Sequence, residues 1–256
     1  MAHFTINYFS DSLNRPVEFE MMIPNDKRDR RDKAKEKMRT LFLLHGYTSG
    51  AWNWVPEHLA EKYNFAVVVP RGENAFWLDG ISTGHNYCTF IGEELPEYIR
   101  STFDLANSAE DTYIMGYSMG GFGALHTALK YPDNFGKAAA LSPALIVHKV
   151  ARMKPGFKDG FANYEYYREC FGEPEKVLES ENNPEVLIKR LLENGKKIPE
   201  IMICCGLSDF LLEYNREFHE FLERENVPHG YFESAGGHDM DFWRDYTVRF
   251  TEKMFE

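Results

Sequence analysis

The chain has 256 residues, 43% of them hydrophobic and 15% aromatic, which supplies one large core and excludes a disordered or collagenous chain. At this length a single α/β domain is the default. Lysine and arginine number 29 against 40 acidic residues, and the formal net charge of −11 opposes nucleic acid or an anionic membrane as partners, since both need a positive face.

The N-terminus alternates polar and apolar residues, with no basic segment leading into an apolar one. No stretch approaches the ~18 uninterrupted apolar residues of a transmembrane helix. An unexported, cytoplasmic protein is expected, with no membrane partner and with self-association as a homo-oligomer left open. Cys204 and Cys205 are adjacent, so on a strand they point to opposite faces, and reduced core cysteines are expected rather than a disulfide framework.

Phe4–Phe9 and Val17–Ile23 read as opening strands joined by a turn-rich segment, which implies an antiparallel hairpin. The run Asp26–Arg39 mixes both charge signs and lacks aromatic interleaving, so it reads as a solvated loop, with a partner-binding arm as the lesser alternative. Thr40–Leu44 and Phe65–Val69 are candidate buried strands. Trp52–Tyr63 carries helical spacing, as does Phe90–Phe103 behind Thr89 as an N-cap.

Strand then alternates with helix. Thr112–Met115, Ala138–Leu141, Glu200–Cys205 and Gly230–Glu233 read as strands, and Met119–Lys130, Leu211–Glu225 and Phe242–Phe255 as helices. This order predicts a mostly parallel sheet with helices on both faces. Ile146–Lys197 breaks the rhythm and reads as an insertion within the single domain. Its aromatics, among them Phe157, Phe161, Tyr164, Tyr166, Tyr167 and Phe171, fit a lid or substrate wall as well as they fit a local core.

The chemistry concentrates in Gly116-Tyr117-Ser118-Met119-Gly120, a G-x-S-x-G pattern between a strand and a helix. In that elbow the nucleophile sits in strained backbone, and small flanking residues leave room for the crossing chain. A serine hydroxyl is a weak nucleophile until a positioned base takes its proton. In a fold of this kind the acid and then the histidine follow the serine, which leaves His126, His148, His219, His229 and His238. His126 and His219 fall inside helices, His148 opens the insertion and His229 precedes a strand. His238 lies in the glycine-rich Ser234-Ala235-Gly236-Gly237 loop, from which an imidazole reaches over the sheet edge.

Asp209, just after an apolar strand, is the candidate acid, although a helix N-cap fits its position too. Asp239 and Asp241 read as capping residues. The backbone N–H groups of Met119 and Tyr47 are the candidate oxyanion donors, and His45 reads as structural.

Together these positions resemble the esterase D group of α/β-hydrolases, which includes S-formylglutathione hydrolases, feruloyl and acetyl esterases and small tributyrin-type esterases. The resemblance rests on His45-Gly46, the elbow with Gly121, Asp209 and Gly236-Gly237-His238. The run Asn86-Tyr87-Cys88-Thr89-Phe90 with Glu93-Glu94-Leu95-Pro96 is similar to the segment before the elbow in that group. The resemblance implies an α/β-hydrolase fold and a small-molecule ester as the partner. It also implies hydrolysis of short acyl esters without metal or organic cofactor, with Trp77 and Tyr87 approaching the substrate. The loop after His45-Gly46 lacks the cysteine usual in S-formylglutathione hydrolases, which weighs against a glutathione thioester.

Overall fold

The computed structural model describes residues 1–24, 37–50 and 52–256. Most of the Asp26–Arg39 segment therefore lies outside the described residues. Eight strands form one sheet in the order β1-β2-β4-β3-β5-β6-β7-β8. β1 (Ala2–Ser10) and β2 (Arg15–Ile23) make the expected antiparallel hairpin, and β2 pairs antiparallel with β4 (Phe65–Pro70). From β4 onward every pairing is parallel, through β3 (Arg39–Leu44), β5 (Thr112–Tyr117), β6 (Lys137–Leu141), β7 (Glu200–Gly206) and β8 (His229–Ser234).

The central strands are apolar on both faces because each face carries a core of its own. In β3, Phe42 and Leu44 join Ile99, Leu125 and Phe218, while Leu41 and Leu43 join Leu59, Trp243 and Phe250 on the other side. Helices Leu95–Phe103, Met119–Lys130 and Leu212–Arg224 thus cover one face, and Glu57–Tyr63 and Met240–Phe255 the other. No helix of the described residues is long and apolar enough to cross a membrane.

Two local expectations are corrected. The helix expected over Trp52–Tyr63 starts only at Glu57, because Pro56 caps it and biases the residue before it away from helical backbone. Thr89 is not an N-cap. Helical structure begins at Tyr87 and runs through a π-helical stretch, Phe90–Glu94, and the Thr89 amide and hydroxyl both donate to the Asp79 carboxylate.

The Ile146–Lys197 segment contains helices Tyr164–Phe171 and Pro184–Glu193 and no extended strand. Its aromatics divide between the two expected roles. Phe171 is buried in the core beside Phe76 and Phe122, whereas Phe161, Tyr166 and Tyr167 line a cavity over the C-terminal edge of the sheet.

Candidate active site

Gly46-Tyr47 after β3, Ser118 after β5 and His238 after β8 line that cavity, and Asp209, after β7, is buried behind His238. Ser118 has φ 55° and ψ −120°, a strained conformation for a residue with a side chain, and it sits at the N-cap of Met119–Lys130. The elbow is braced on both sides. The Ser118 amide donates to the Leu141 carbonyl at 2.8 Å, and the Ser118 carbonyl accepts from Ala144 at 3.0 Å.

The glycines of the motif are required by close approach. A Cβ on Gly120 would lie 2.0 Å from the Leu44 carbonyl oxygen, and one on Gly116 would lie 2.2 Å from the Gly120 oxygen. The β3 loop and the elbow therefore touch backbone to backbone. This contact brings Tyr47 and Met119 to the wall of the same cavity as Ser118. Met119 opens its helix, so its N–H has no intrahelical acceptor and lies at the positive end of the helix dipole.

His238 Nε2 lies 2.9 Å from Ser118 Oγ, and His238 Nδ1 lies 2.9 and 3.0 Å from the two oxygens of Asp209. A carboxylate can only accept, so Nδ1 carries the hydrogen, and in the neutral ring Nε2 is left to accept from the serine hydroxyl. The Asp209 side chain is 0% exposed and that of His238 18%. Burial pushes the Asp209 carboxyl up, but hydrogen bonds from His238 and the Leu211 amide outweigh it and hold the group below its ordinary value. Leu211 N–H donates to Asp209 Oδ1 at 2.8 Å, so Asp209 serves the histidine and the entry to the following helix at once.

The other histidines after Ser118 are engaged elsewhere. His126 is buried against the Glu181 carbonyl, and burial lowers it to about 4. His148 pairs with Glu185, and His219 with His229. His45 is buried and structural: its Nδ1 donates to the Gly46 carbonyl and its Nε2 accepts from the Gly72 amide. Asp239 caps the last helix by accepting from Asp241 and Phe242.

Trp77 and Tyr87 do not line the cavity. Phe76 and Trp77 both adopt positive φ, 51° and 57°, and this turn sends Trp77 into the core, where it is 0% exposed. A Cβ on Gly72 or Gly123 would fall 2.3 or 2.5 Å from the Trp77 side chain, so the indole fills the space that those two glycines leave. Tyr87 is also buried, and its hydroxyl accepts from Arg15 at 2.7 Å beside a separate cleft.

The cavity measures about 810 Å³ and is walled by Trp52, Phe76, Phe161, Tyr166, Phe210 and Trp243 among others. Phe210 lies 4.5 Å from the His238 ring and stacks on Phe161 of the Ile146–Lys197 segment at 5.6 Å, both residues being more than half exposed. Phe161 and Tyr166 were among the aromatics read from the sequence as a possible substrate wall, whereas Trp52, Phe76, Phe210 and Trp243 were not. These four stand on three separate loops and on the helix Met240–Phe255 and have no common sequence period.

A model of the Esterase family matches residues 10–252. An acetyl esterase of Caldicellulosiruptor saccharolyticus is 38% identical over 261 residues, spanning 99% of this chain and 98% of that protein. Among solved structures, the substrate-bound fluorophosphonate-binding serine hydrolase F of Staphylococcus aureus superposes with a TM-score of 0.85 at 27% identity, covering 100% of this chain and 98% of the other. An S-formylglutathione hydrolase of Staphylococcus aureus gives 0.83 at 27% identity, with 100% and 99% covered.

Proposed function

This chain belongs to the Esterase family and is a serine carboxylic-ester hydrolase, and on that premise we propose that it cleaves short acyl esters by two-step acyl transfer through Ser118. The observation that carries this reading is the continuous chain of contacts from Ser118 Oγ through both nitrogens of His238 to the buried Asp209. His238 Nε2 takes the hydroxyl proton as Ser118 Oγ bonds to the ester carbonyl carbon, and the Met119 and Tyr47 amides donate to the resulting oxyanion. The same proton then passes from Nε2 to the departing alcohol oxygen, leaving an acyl-serine. Water, deprotonated by His238, attacks the acyl carbon, and the acid leaves as Ser118 recovers its proton.

An acetyl esterase relative at 38% identity supports a small acyl group. The aromatic walls of the cavity favour an apolar or planar alcohol, such as an aryl group, or the flat faces of a sugar. The structural likeness to an S-formylglutathione hydrolase keeps a thioester as the second reading. A panel of p-nitrophenyl acetate and butyrate, an acetylated sugar, a feruloyl ester and S-formylglutathione separates them. The proposal expects the highest kcat/KM on acetyl or butyryl oxygen esters. Preference for the glutathione thioester would replace it with the second reading. Competing alcohols in the same assay report an acyltransferase, as transfer exceeding hydrolysis.

A further inference from the structure

At the opposite end of β8 from His238, two histidines and a glutamate converge. His219 and Glu223 are four residues apart on the helix Leu212–Arg224 and so share a face, and His229 opens β8. His219 Nδ1 lies 2.7 Å from His229 Nε2, and a Glu223 carboxylate oxygen lies 4.0 Å from that same nitrogen. One donor atom from each of the three residues falls within 4.8 Å of the others.

Both rings are held from behind. His229 Nδ1 is 2.8 Å from the Val227 carbonyl, which only accepts, so Nδ1 carries the hydrogen and Nε2 turns a lone pair into the gap. The hydrogen between the two rings therefore belongs to His219. The His219 imidazole lies flat on Tyr231, with centroids 4.2 Å apart and planes 7° apart, and the Tyr231 hydroxyl donates to Glu233, which Arg216 also binds. The side chain of His229 is 1% exposed, whereas that of Glu223 is 67% exposed and free to swing.

We infer that His219, Glu223 and His229 bind one transition-metal dication of the zinc class. Two imidazoles and a carboxylate suit Zn²⁺ or Co²⁺, with a fourth position open to water. A histidine whose second nitrogen donates to a backbone carbonyl has the usual orientation of a metal ligand. Metal–nitrogen bonds of ~2.0–2.1 Å in a tetrahedral centre put the two nitrogens about 3.3 Å apart, so the rings part by roughly half an ångström as the metal enters. His219 stays neutral, its hydrogen passing through solvent from Nδ1 to Nε2 while the freed lone pair and that of His229 Nε2 bind the ion. The site ties a helix to edge strand β8, which is only half-buried along its length and leads into the His238 loop. It lies outside the aromatic cavity and does not depend on the ester chemistry.

Full-length protein freed of metal by a chelator and titrated with Co²⁺ is expected to develop visible d–d absorption that saturates near one equivalent and is displaced by Zn²⁺. His219→Ala is expected to abolish the band, and Glu223→Gln, on an exposed side chain, to weaken binding without loss of fold by circular dichroism. Ester hydrolysis is expected to be unchanged in both variants. Failure of the wild type to take up either metal at one equivalent, or wild-type binding by folded His219→Ala, overturns the site and leaves a hydrogen-bonded histidine pair.

Discussion

The indole of Trp243 donates from Nε1 to Ser142 Oγ at 3.1 Å, and its ring meets the imidazole of His238 edge-on at 4.8 Å. Ser142 is fully buried with φ 43°, its amide is bonded to the Cys204 carbonyl at 2.7 Å, and its hydroxyl helps to hold the Asp209 carboxyl low. One tryptophan thus contacts both His238 and the residue behind Asp209. Trp243→Phe keeps an aromatic ring beneath His238 but leaves Ser142 without its donor. Loss of that buried hydrogen bond is expected to cost about 1–3 kcal/mol of stability. If Trp243 positions His238, kcat falls while KM holds, as steady-state kinetics and chemical denaturation together will show. Equal loss of stability with kcat unchanged would make Trp243 a packing residue only.

Asp209→Asn replaces a carboxylate that accepts from His238 Nδ1 and the Leu211 amide. The amide can present an N–H to His238 and so favour the wrong tautomer. A fall in kcat of about 10⁴-fold is expected, the scale seen when the orienting acid of a Ser-His-Asp triad becomes an amide. Because the folded carboxyl sits below its ordinary value, it stabilises the fold above the ordinary aspartate range, and this contribution is lost as pH falls through the lower folded value. The stability gap between wild type and variant is therefore expected at neutral pH and should close in strong acid.

Much of this site was legible in the sequence because its chemistry is written in short contiguous patterns. Ser118 stands in a strand-to-helix glycine motif, and His238 in the one glycine loop that follows the last strand. Asp209 presented two readings, acid or cap, and the structure gives it both contacts, since the carboxylate reaches His238 and the Leu211 amide together. The expectation for Trp77 fails because the choice between cavity and core depends on two successive left-handed residues, Phe76 and Trp77, which leave buried Phe76 at the cavity wall and send Trp77 wholly into the core. Trp243 was missed because it reaches the site only through the twist of a helix that begins after His238.

Phe161 and Phe210 form an exposed stack at the cavity wall, one from the Ile146–Lys197 segment and one from the loop after β7. If they hold the alcohol portion of the substrate, Phe161→Ala removes one aromatic contact of ~0.5–1.5 kcal/mol, and KM for aryl esters rises roughly two- to tenfold. KM for a small alkyl acetate should change little. An equal rise for both would show that Phe161 shapes the site in general instead of reading the aryl group.

Asp159 organises the turn that presents Phe161. Its carboxylate accepts from Lys149 Nζ at 2.6 Å, from the Phe161 and Ala162 amides and from the Tyr167 hydroxyl. Burial raises the group, but these donors outweigh it and lower it to about 2. A depressed carboxyl stabilises the fold above its unfolded value of ~3.9 and loses that contribution as pH falls through the folded value. Asp159→Asn is therefore expected to be less stable than wild type from pH 7 down to about 5, with the gap narrowing below about 4. Urea denaturation across that range checks the sign.

The proposed activation of Ser118 as nucleophile by His238 is open to covalent labelling. Intact-mass and peptide mass spectrometry after treatment with a fluorophosphonate tests it most directly. A single adduct is expected on the peptide carrying Ser118, formed in step with loss of ester hydrolysis, and neither adduct nor turnover in folded Ser118→Ala. An adduct on another residue, or hydrolysis that survives in Ser118→Ala, would contradict it.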